Sequence, residues 1–370
     1  MKRLFFLVDA MRLGGLEKAL TGLLSSIDFS STEVHLGVFS NDGCLMPFLP
    51  DEVNVHLIAM PPELAELRKD PPSLSIKKLL RKKKYKDAFF VAVLHLLYKV
   101  DASCRYYFYS YFLRKVTLLG PSFDEAYAYS GLDEQLVYYV AKKVKARFKV
   151  CWIHFDVSKQ VFNKPLQKRL LKWYDKVYVV SKQAESIFNR EFPEATHKTE
   201  VKYNVVPKTQ ILSLSATGPT FDDDFTGIRI LTVARFAIEK GQRDALAVLK
   251  QLVDANILVK WYFLGDGPDL DICRKKAALL GLSDAACFLG ARLNPYAFMR
   301  DCDIYVQPSR NEGFCIALSE ALCFDKPIVA TDFAGAREQL EGHPFSVIVR
   351  DGQVSLFQGI KTLVDELAKQ

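Results

Sequence analysis

Residues 303–321 read Asp303-Ile304-Tyr305-Val306-Gln307-Pro308-Ser309-Arg310-Asn311-Glu312-Gly313-Phe314-Cys315-Ile316-Ala317-Leu318-Ser319-Glu320-Ala321. A short buried strand, Asp303 to Gln307, ends at Pro308; a loop containing Gly313 then opens a helix. Backbone amides at the start of such a helix can hold an anion or sugar hydroxyls. Two carboxylates flank the turn. Glu312 stands just before the helix and Glu320 about two turns into it, roughly 12 Å away along the axis at 1.5 Å per residue. That exceeds the roughly 5–9.5 Å between the paired carboxylates of a glycosidase. Each carboxylate can instead accept two hydrogen bonds from a vicinal diol, so the pair is placed to grip two different polyols. The other reading of Glu320 is a surface carboxylate, but its neighbours are apolar, and a carboxylate in such a helix is costly unless paired.

Working outward, the same strand–helix alternation recurs. Ile228 to Ala234, Val259 to Leu264, Ala286 to Leu289, Ile304 to Gln307 and Pro327 to Ala330 are apolar, strand-like runs. An earlier series occupies 3–8, 33–39, 53–59, 126–129, 148–153 and 176–181. Its first strand leads through Asp9 to Gly15 into a helix over Leu16 to Leu24. Strands alternating with helices predict parallel sheets covered on both faces. Residues 207–227, with two Pro, two Gly and the run Asp222-Asp223-Asp224, have the composition of a loop or linker. The expected fold is therefore α/β, with two Rossmann-like doubly wound domains enclosing a cleft at the carboxyl ends of their strands. The expected domains are 1–206 and 207–355, with a helix over 356–370 packing back towards the first domain.

At the mouth of the second series, Arg235 leaves a buried strand and Lys240-Gly241 follow, just before a helix near Asp244. Two cations beside helix amides make a diphosphate site, although Arg and Lys after a strand are more often plain surface residues. The chain has 370 residues, 49% hydrophobic and 25% charged, which excludes disorder, collagen and coiled coil as overall classes. No run of about 18 uncharged apolar residues occurs, which excludes a multi-span membrane protein. The apolar core of the N-terminus is too short for a signal peptide and reads as a buried strand. The eight cysteines form no CxxC pair, which argues against structural zinc. Buried free thiols in a reducing compartment are expected.

The formal net charge is +7, and a local patch carries it. Residues 77–115 hold eleven Lys and Arg against two Asp, and 77–86 alone place seven cations in ten positions. Next come the apolar run Ala88 to Leu94 and the aromatic run Tyr106-Tyr107-Phe108-Tyr109. A basic helix beside such residues can lie on an anionic membrane surface. The same composition fits a solvated face beside a core helix. Nucleic acid is not expected as a partner, because no zinc-finger, basic-zipper or helix-turn-helix spacing is present.

With its Glu, seven residues and Glu inside Pro-Ser-x-x-Glu-Gly-Phe, the stretch 308–320 resembles the retaining glycosyltransferases of family 4, nucleotide-sugar enzymes of bacterial type with the GT-B fold. Further elements match in order. They are Gly14-Gly15-Leu16-Glu17, Val179-Val180-Ser181, Asn204-Val205-Val206-Pro207, Ala234-Arg235 with Lys240-Gly241, Gly265-Asp266-Gly267-Pro268, Phe288-Leu289-Gly290, and Ala330-Thr331-Asp332 with Gly335-Ala336-Arg337-Glu338. Three departures stand out. Tyr203 and Val205 replace the usual Pro and Gly, and Ala234 replaces a Gly. The region 60–120 has no counterpart.

The resemblance implies that Arg235 and Lys240 neutralise a nucleotide diphosphate and the charge growing on it as it leaves. It implies that Glu320 accepts from the ribose hydroxyls, and that Glu312, with the amides of Gly313, Phe314, Cys315 and Ile316, holds the donor sugar. Gly14 and Gly15 would let the first loop approach the phosphates. The base would lie near Leu289 to Leu293, with Gly290 and Arg292 in contact. His154, in Trp152-Ile153-His154-Phe155-Asp156, matches a histidine near the reacting sugar; alone it would read as a satisfied loop residue. Retention would need no enzyme nucleophile, so Arg235, Lys240, Glu312 and His154 are the expected catalytic set, acting through electrostatics and positioning. No essential cofactor or metal is expected; the triplets 222–224, 269–271 and 301–303 read as incidental. A UDP-sugar is favoured over a GDP-sugar as donor, and the acceptor would be a saccharide or a lipid-linked molecule. Surface polysaccharide or lipopolysaccharide synthesis in the cytoplasm, peripheral to the inner face of the membrane, follows by analogy. The alternative is a non-catalytic GT-B protein that binds nucleotide sugar or serves as a partner subunit. A dinucleotide oxidoreductase is disfavoured, since Leu270 stands where the third Gly of Gly-x-Gly-x-x-Gly would fall.

Overall fold

The computed structural model describes residues 1–61, 64, 67, 70–114, 116 and 122–369. Among the described residues, thirteen strands form two all-parallel sheets. The first sheet comprises β1 (Lys2–Val8), β2 (Thr32–Val38), β3 (Asn54–Leu57), β4 (Phe123–Ala128), β5 (Ala146–Ile153), β6 (Lys176–Val179) and β7 (Thr199–Val201), in the order β3-β2-β1-β4-β5-β6-β7. The second comprises β8 (Ile228–Val233), β9 (Val259–Leu264), β10 (Ala286–Gly290), β11 (Ile304–Gln307), β12 (Ile328–Thr331) and β13 (Ser346–Val349), in the order β10-β9-β8-β11-β12-β13. Both are doubly wound: the order reverses beside the first strand of each, which places the topological switch point between β1 and β4 and between β8 and β11.

Fourteen helices are described: α1 (Gly15–Ser25), α2 (Pro72–Arg81), α3 (Tyr85–Val100), α4 (Arg105–Phe112), α5 (Glu134–Lys143), α6 (Lys164–Leu171), α7 (Lys182–Glu191), α8 (Lys208–Thr217), α9 (Gln242–Asp254), α10 (Leu270–Leu279), α11 (Tyr296–Asp301), α12 (Ile316–Ala321), α13 (Ala336–Leu340) and α14 (Gln353–Leu367). Among the described residues, no helix is long and apolar enough to cross a membrane.

The strands form where the sequence offers near-continuous apolar runs. Leu4 to Val8 of β1 and Trp261 to Leu264 of β9 are buried throughout, as central strands covered on both faces must be. In the second sheet the core gathers Trp261, Phe263, Leu246, Leu249, Ile304 and Val306. Its one buried hydroxyl on β8 is fully used: Thr232 Oγ1 donates to Val306 O at 2.7 Å and accepts from Trp261 Nε1 at 3.0 Å, as buried polar groups must.

Contacts divide the chain into two units. The first holds Met1–Arg12, Ile27–Val180 and Glu185–Lys202; the second holds Leu13–Ser26, Ser181–Ala184 and Tyr203–Gln370. Three expectations need correction. The span 207–227 is not all linker: Lys208–Thr217 is α8, with Ile211 and Ser215 buried. Apolar positions at 211 and 214 give it a face towards α11, and they outweigh its turn-rich composition. The final helix does not leave its own domain; Leu356, Ile360, Leu363 and Val364 of α14 belong to the core of the second unit. And α1 groups with the second unit, although its sequence neighbours β1 and β2 belong to the first. The thiols are free, as expected, but Cys44 is exposed.

Candidate functional site

The switch point of the second sheet brings two loops together: the one after β8, with Arg235, Lys240 and Gly241, and the one after β11, with Ser309, Glu312 and Gly313. Lys240 Nζ lies 2.6 Å from Glu312 Oε1, with side chains only 19% and 11% exposed. Glu312 is held from below by a buried relay. Tyr305, Gln307 and Ser309 alternate along β11 and past its end, and so point to one face. Tyr305 OH donates to Gln307 Oε1 (2.8 Å), Gln307 Nε2 to Ser309 Oγ (2.8 Å), and Ser309 Oγ to the same Glu312 Oε1 (2.9 Å). Glu312 Oε2 takes no hydrogen bond among the described residues. Burial works to lower the Lys240 pKa, but the Glu312 carboxylate more than offsets it and holds the ammonium above its ordinary value. Lys240 is thus a firmly charged cation in a low-dielectric loop.

Arg235 sits at the open side of this loop. Its Nη2 pairs with Glu239 Oε1 at 2.7 Å while the side chain stays 65% exposed, a geometry worth little by itself and easily exchanged for a stronger anion. Its carbonyl accepts from Gln242 Nε2 at 2.9 Å.

Glu320 lies at the end of the six-residue helix α12 and is 4% exposed. It is paired, as its apolar surroundings require. Lys18 Nζ of α1 approaches both carboxylate oxygens, at 3.0 and 3.3 Å, and Tyr296 OH donates to Oε1 at 2.8 Å. Burial, and then the Glu320 carboxylate, push the Tyr296 hydroxyl far above its ordinary pKa, so it remains a donor. Lys18, Tyr296 and Ser309 are partners that reading the sequence missed. Lys18 is 302 positions from Glu320, and nothing local marks it. Removing it leaves a buried carboxylate with one neutral partner. Lys18→Met is therefore expected to destabilise the second unit by about 3 kcal/mol, read as a lower urea midpoint, with Glu320→Gln in the same chain restoring most of the loss.

The expected amide set is only partly available. Cys315 N–H donates to Gln339 Oε1 at 3.1 Å, and Gln339 Nε2 returns to Cys315 O at 2.8 Å. Burial pushes the Cys315 thiol well up, so it is an inert packing group. Ile316 opens α12 and packs 3.8 Å from where a Cβ on Gly15 would stand. Gly14 is extended, with φ −153, so its backbone needs no glycine. Gly290 ends β10 with φ 72, its carbonyl accepting from Gly265 N at 2.9 Å. Arg292 is exposed just beyond it.

The loop after β12 closes this side of the unit. Glu338 accepts from the backbone N–H of Lys182 and of Gln183, each at 3.0 Å, and from Tyr203 OH at 3.0 Å. That gives Tyr203, one of the departures noted in the sequence, a structural part. One carboxylate of each Asp triplet is held in an ion pair. Asp223 bonds Arg229, Lys260 and Tyr262, Asp269 bonds Arg243, and Asp301 bonds Arg300. In the first unit, His154 follows β5, its ring stacked on Trp152 (5.6 Å) and tilted against Tyr129 (4.3 Å).

Residues 224–360, which carry both loops, match the family model of glycosyl transferases group 1. The structure of Anabaena HepE, solved in complex with UDP-glucose, superposes with a TM-score of 0.67 at 18% identity, covering 100% of this chain and 91% of that one. The chain has the GT-B fold, and over residues 224–360 it is similar to glycosyl transferases group 1. Among curated proteins, an uncharacterized glycosyltransferase of Methanocaldococcus jannaschii is 26% identical over 177 residues, 47% of this chain and 44% of the relative. The N,N'-diacetylbacillosaminyl-diphospho-undecaprenol alpha-1,3-N-acetylgalactosaminyltransferase of Campylobacter jejuni is 31% identical over 112 residues, 30% of this chain and 28% of the relative. The chain thus aligns with less than half the length of these relatives. The matched region contains Arg235, Lys240, Glu312, Tyr296 and Glu320; Lys18 and His154 lie outside it.

Proposed function

We propose that the chain is a retaining glycosyltransferase that moves a sugar from a nucleotide diphosphate sugar, UDP-linked in preference to GDP-linked, to a saccharide or lipid-linked acceptor. The observation that carries this reading is the Lys240–Glu312 pair across the switch point of the second sheet. It sets a permanent cation and an oriented carboxylate side by side where a sugar diphosphate needs both. The diphosphate takes the place of Glu239 on Arg235 and draws Lys240 towards it. Glu312, fixed by Ser309 and with Oε2 open, accepts from hydroxyls of the donor sugar. The ribose diol competes with Lys18 for Glu320.

The bond from the anomeric carbon to the phosphate oxygen breaks with its electron pair going to the diphosphate. Arg235 and Lys240 stabilise that growing charge. The acceptor hydroxyl adds to the anomeric carbon from the same face, and its proton passes to the departing phosphate oxygen. No metal is required in this scheme, since the two cations do that work. His154 is assigned to the sugar-proximal part of the reaction on the family resemblance.

A lipid-linked acceptor is favoured by the diphospho-undecaprenol named for the Campylobacter relative. It is also favoured by the basic segment 77–86 with its exposed neighbours Phe89, Leu96 and Val100, which suits the inner face of an anionic membrane. A role in surface polysaccharide or lipopolysaccharide synthesis follows. The deciding experiment is calorimetric titration of UDP and GDP in EDTA into the purified protein, Arg235→Ala and Glu320→Ala. UDP is expected to bind the parent chain more tightly than GDP and to lose at least tenfold in each variant. A folded protein that binds neither nucleotide overturns the reading.

A further inference from the structure

The first unit holds a cavity of about 520 Å³ bordered by α2, α3 and α4, in the segment for which the family motifs have no counterpart. Val91 and Leu94 of α3, Phe108 of α4 and Phe162 form apolar walls, and Val161, fully exposed, stands at the mouth. Ser75 of α2 also lines it; the residue is 2% exposed, and its buried hydroxyl has no hydrogen-bond partner among the described residues. A cavity of this size accommodates a whole small ligand. Asp70, His95, Tyr98, Arg105, Glu134 and Asn163 supply the polar part of the lining, with Asp70 paired to Lys78 and Arg105 to Glu134.

Two further observations describe what would enter. Helix α3 is apolar on both sides: Val91 and Leu94 turn inward, while Phe89, Leu96 and Val100 are 73%, 64% and 88% exposed. Lys86, Asp87, His95 and Lys99 interrupt this surface, and a cluster of large exposed apolar side chains marks contact with protein or lipid. Beside it runs the cationic stretch 77–86, and one of its members, Lys78, reaches the cavity wall through a 2.6 Å ion pair with Asp70. Apolar walls, exposed apolar side chains on α3 and a cationic stretch next to it in the chain match one kind of molecule.

We propose that this cavity takes the hydrocarbon chain of an anionic lipid, with the head group held by the cations of 77–86. The proposal rests on the lipid-linked acceptor reading and deepens it, since the chain would seat the acceptor through its tail. Unlike adsorption to a membrane surface, a cavity of finite volume has a length limit.

The test uses the full chain without nucleotide, titrated calorimetrically with monomeric alkyl phosphates from butyl to tetradecyl. Each added methylene is expected to tighten binding about three- to fourfold until the chain outgrows the cavity, after which affinity levels off. Val91→Trp should move that limit to shorter chains. Should that variant fail to fold, Val161→Trp, at a fully exposed position, should weaken the long chains at least tenfold and leave butyl phosphate unchanged. Dodecanol should bind at least tenfold more weakly than dodecyl phosphate. Affinity that is flat with chain length shows an anion site only, and affinity that rises without limit shows surface adsorption; either overturns the proposal. Loss of UDP binding alongside a retained length limit would sink the donor reading alone, and the reverse would sink this one alone.

Discussion

Lys240→Ala is expected to lower turnover by about 10²–10³-fold, the usual cost of deleting one preorganised group that meets charge developing in a transition state. The residue is 19% exposed, and Glu312 keeps its ammonium charged, so its field acts in a site with little water to screen it. The same substitution strands Glu312, which is 11% exposed. A buried carboxylate without its cation costs about 3–5 kcal/mol, and that loss could masquerade as a catalytic one. The control is the double variant Lys240→Met with Glu312→Gln. It removes both charges, should recover most of the stability by urea denaturation, and should remain inactive with the donor identified by titration. A well-folded double variant turning over at the parental rate would remove Lys240 and Glu312 from the mechanism.

The pH dependence follows from the direction of the shift. Lys240 titrates higher in the folded chain than its ordinary value of roughly 10.4. The stabilisation from the pair is therefore complete below that value and is lost only as pH rises through the higher folded one. Acidification towards neutrality should leave it unchanged.

Gly241→Ala should be among the most damaging single-methyl additions in the chain. The residue sits at φ 75, ψ 9, in the left-handed region, between Lys240 and the start of α9. An added Cβ would lie 1.9 Å from the carbonyl oxygen of Pro308, which is backbone and cannot swing aside. The left-handed conformation alone costs roughly 1–2 kcal/mol for a residue with a side chain, and the collision forces the loop off the end of β11. A loss of about 3 kcal/mol or more is expected by urea denaturation, together with a fall in turnover as Lys240 is carried away from Glu312. Gly14→Ala is the contrast. Its φ of −153 suits any residue, and its Cβ would meet only the movable side chain of Glu17. Its stability should change by less than about 0.5 kcal/mol. Equal effects at the two positions would show that the approach of Gly241 to Pro308 does not constrain the loop.

Much of the architecture was legible in residues 228–331. Five apolar runs there coincide with β8 to β12 to within one residue at either end, because a strand buried on both faces admits little but apolar side chains. The missed strands, β7 and β13, are three and four residues long, with burial patterns that are mostly intermediate. Short outer strands carry no continuous apolar run to detect. Helix α8 was hidden for a related reason: its composition is that of a turn, and only its contacts with α11 recruit Ile211 to the interior.

Two doubly wound sheets, the loops that carry Arg235, Lys240, Glu312 and Glu320, and the need of Glu320 for a partner could all be read from the chain alone. All of these follow from periodicity, from glycine and proline placement, and from the cost of burying a charge, which act within a few residues of each other. Which charges meet depends on the fold. Lys240 pairs with Glu312 across 72 positions and Lys18 with Glu320 across 302, because the strand order seats the loops after β8 and β11 side by side and the packing of α1 brings Lys18 to α12. Charge pairing over such separations is set by topology, and no local pattern in the chain records it.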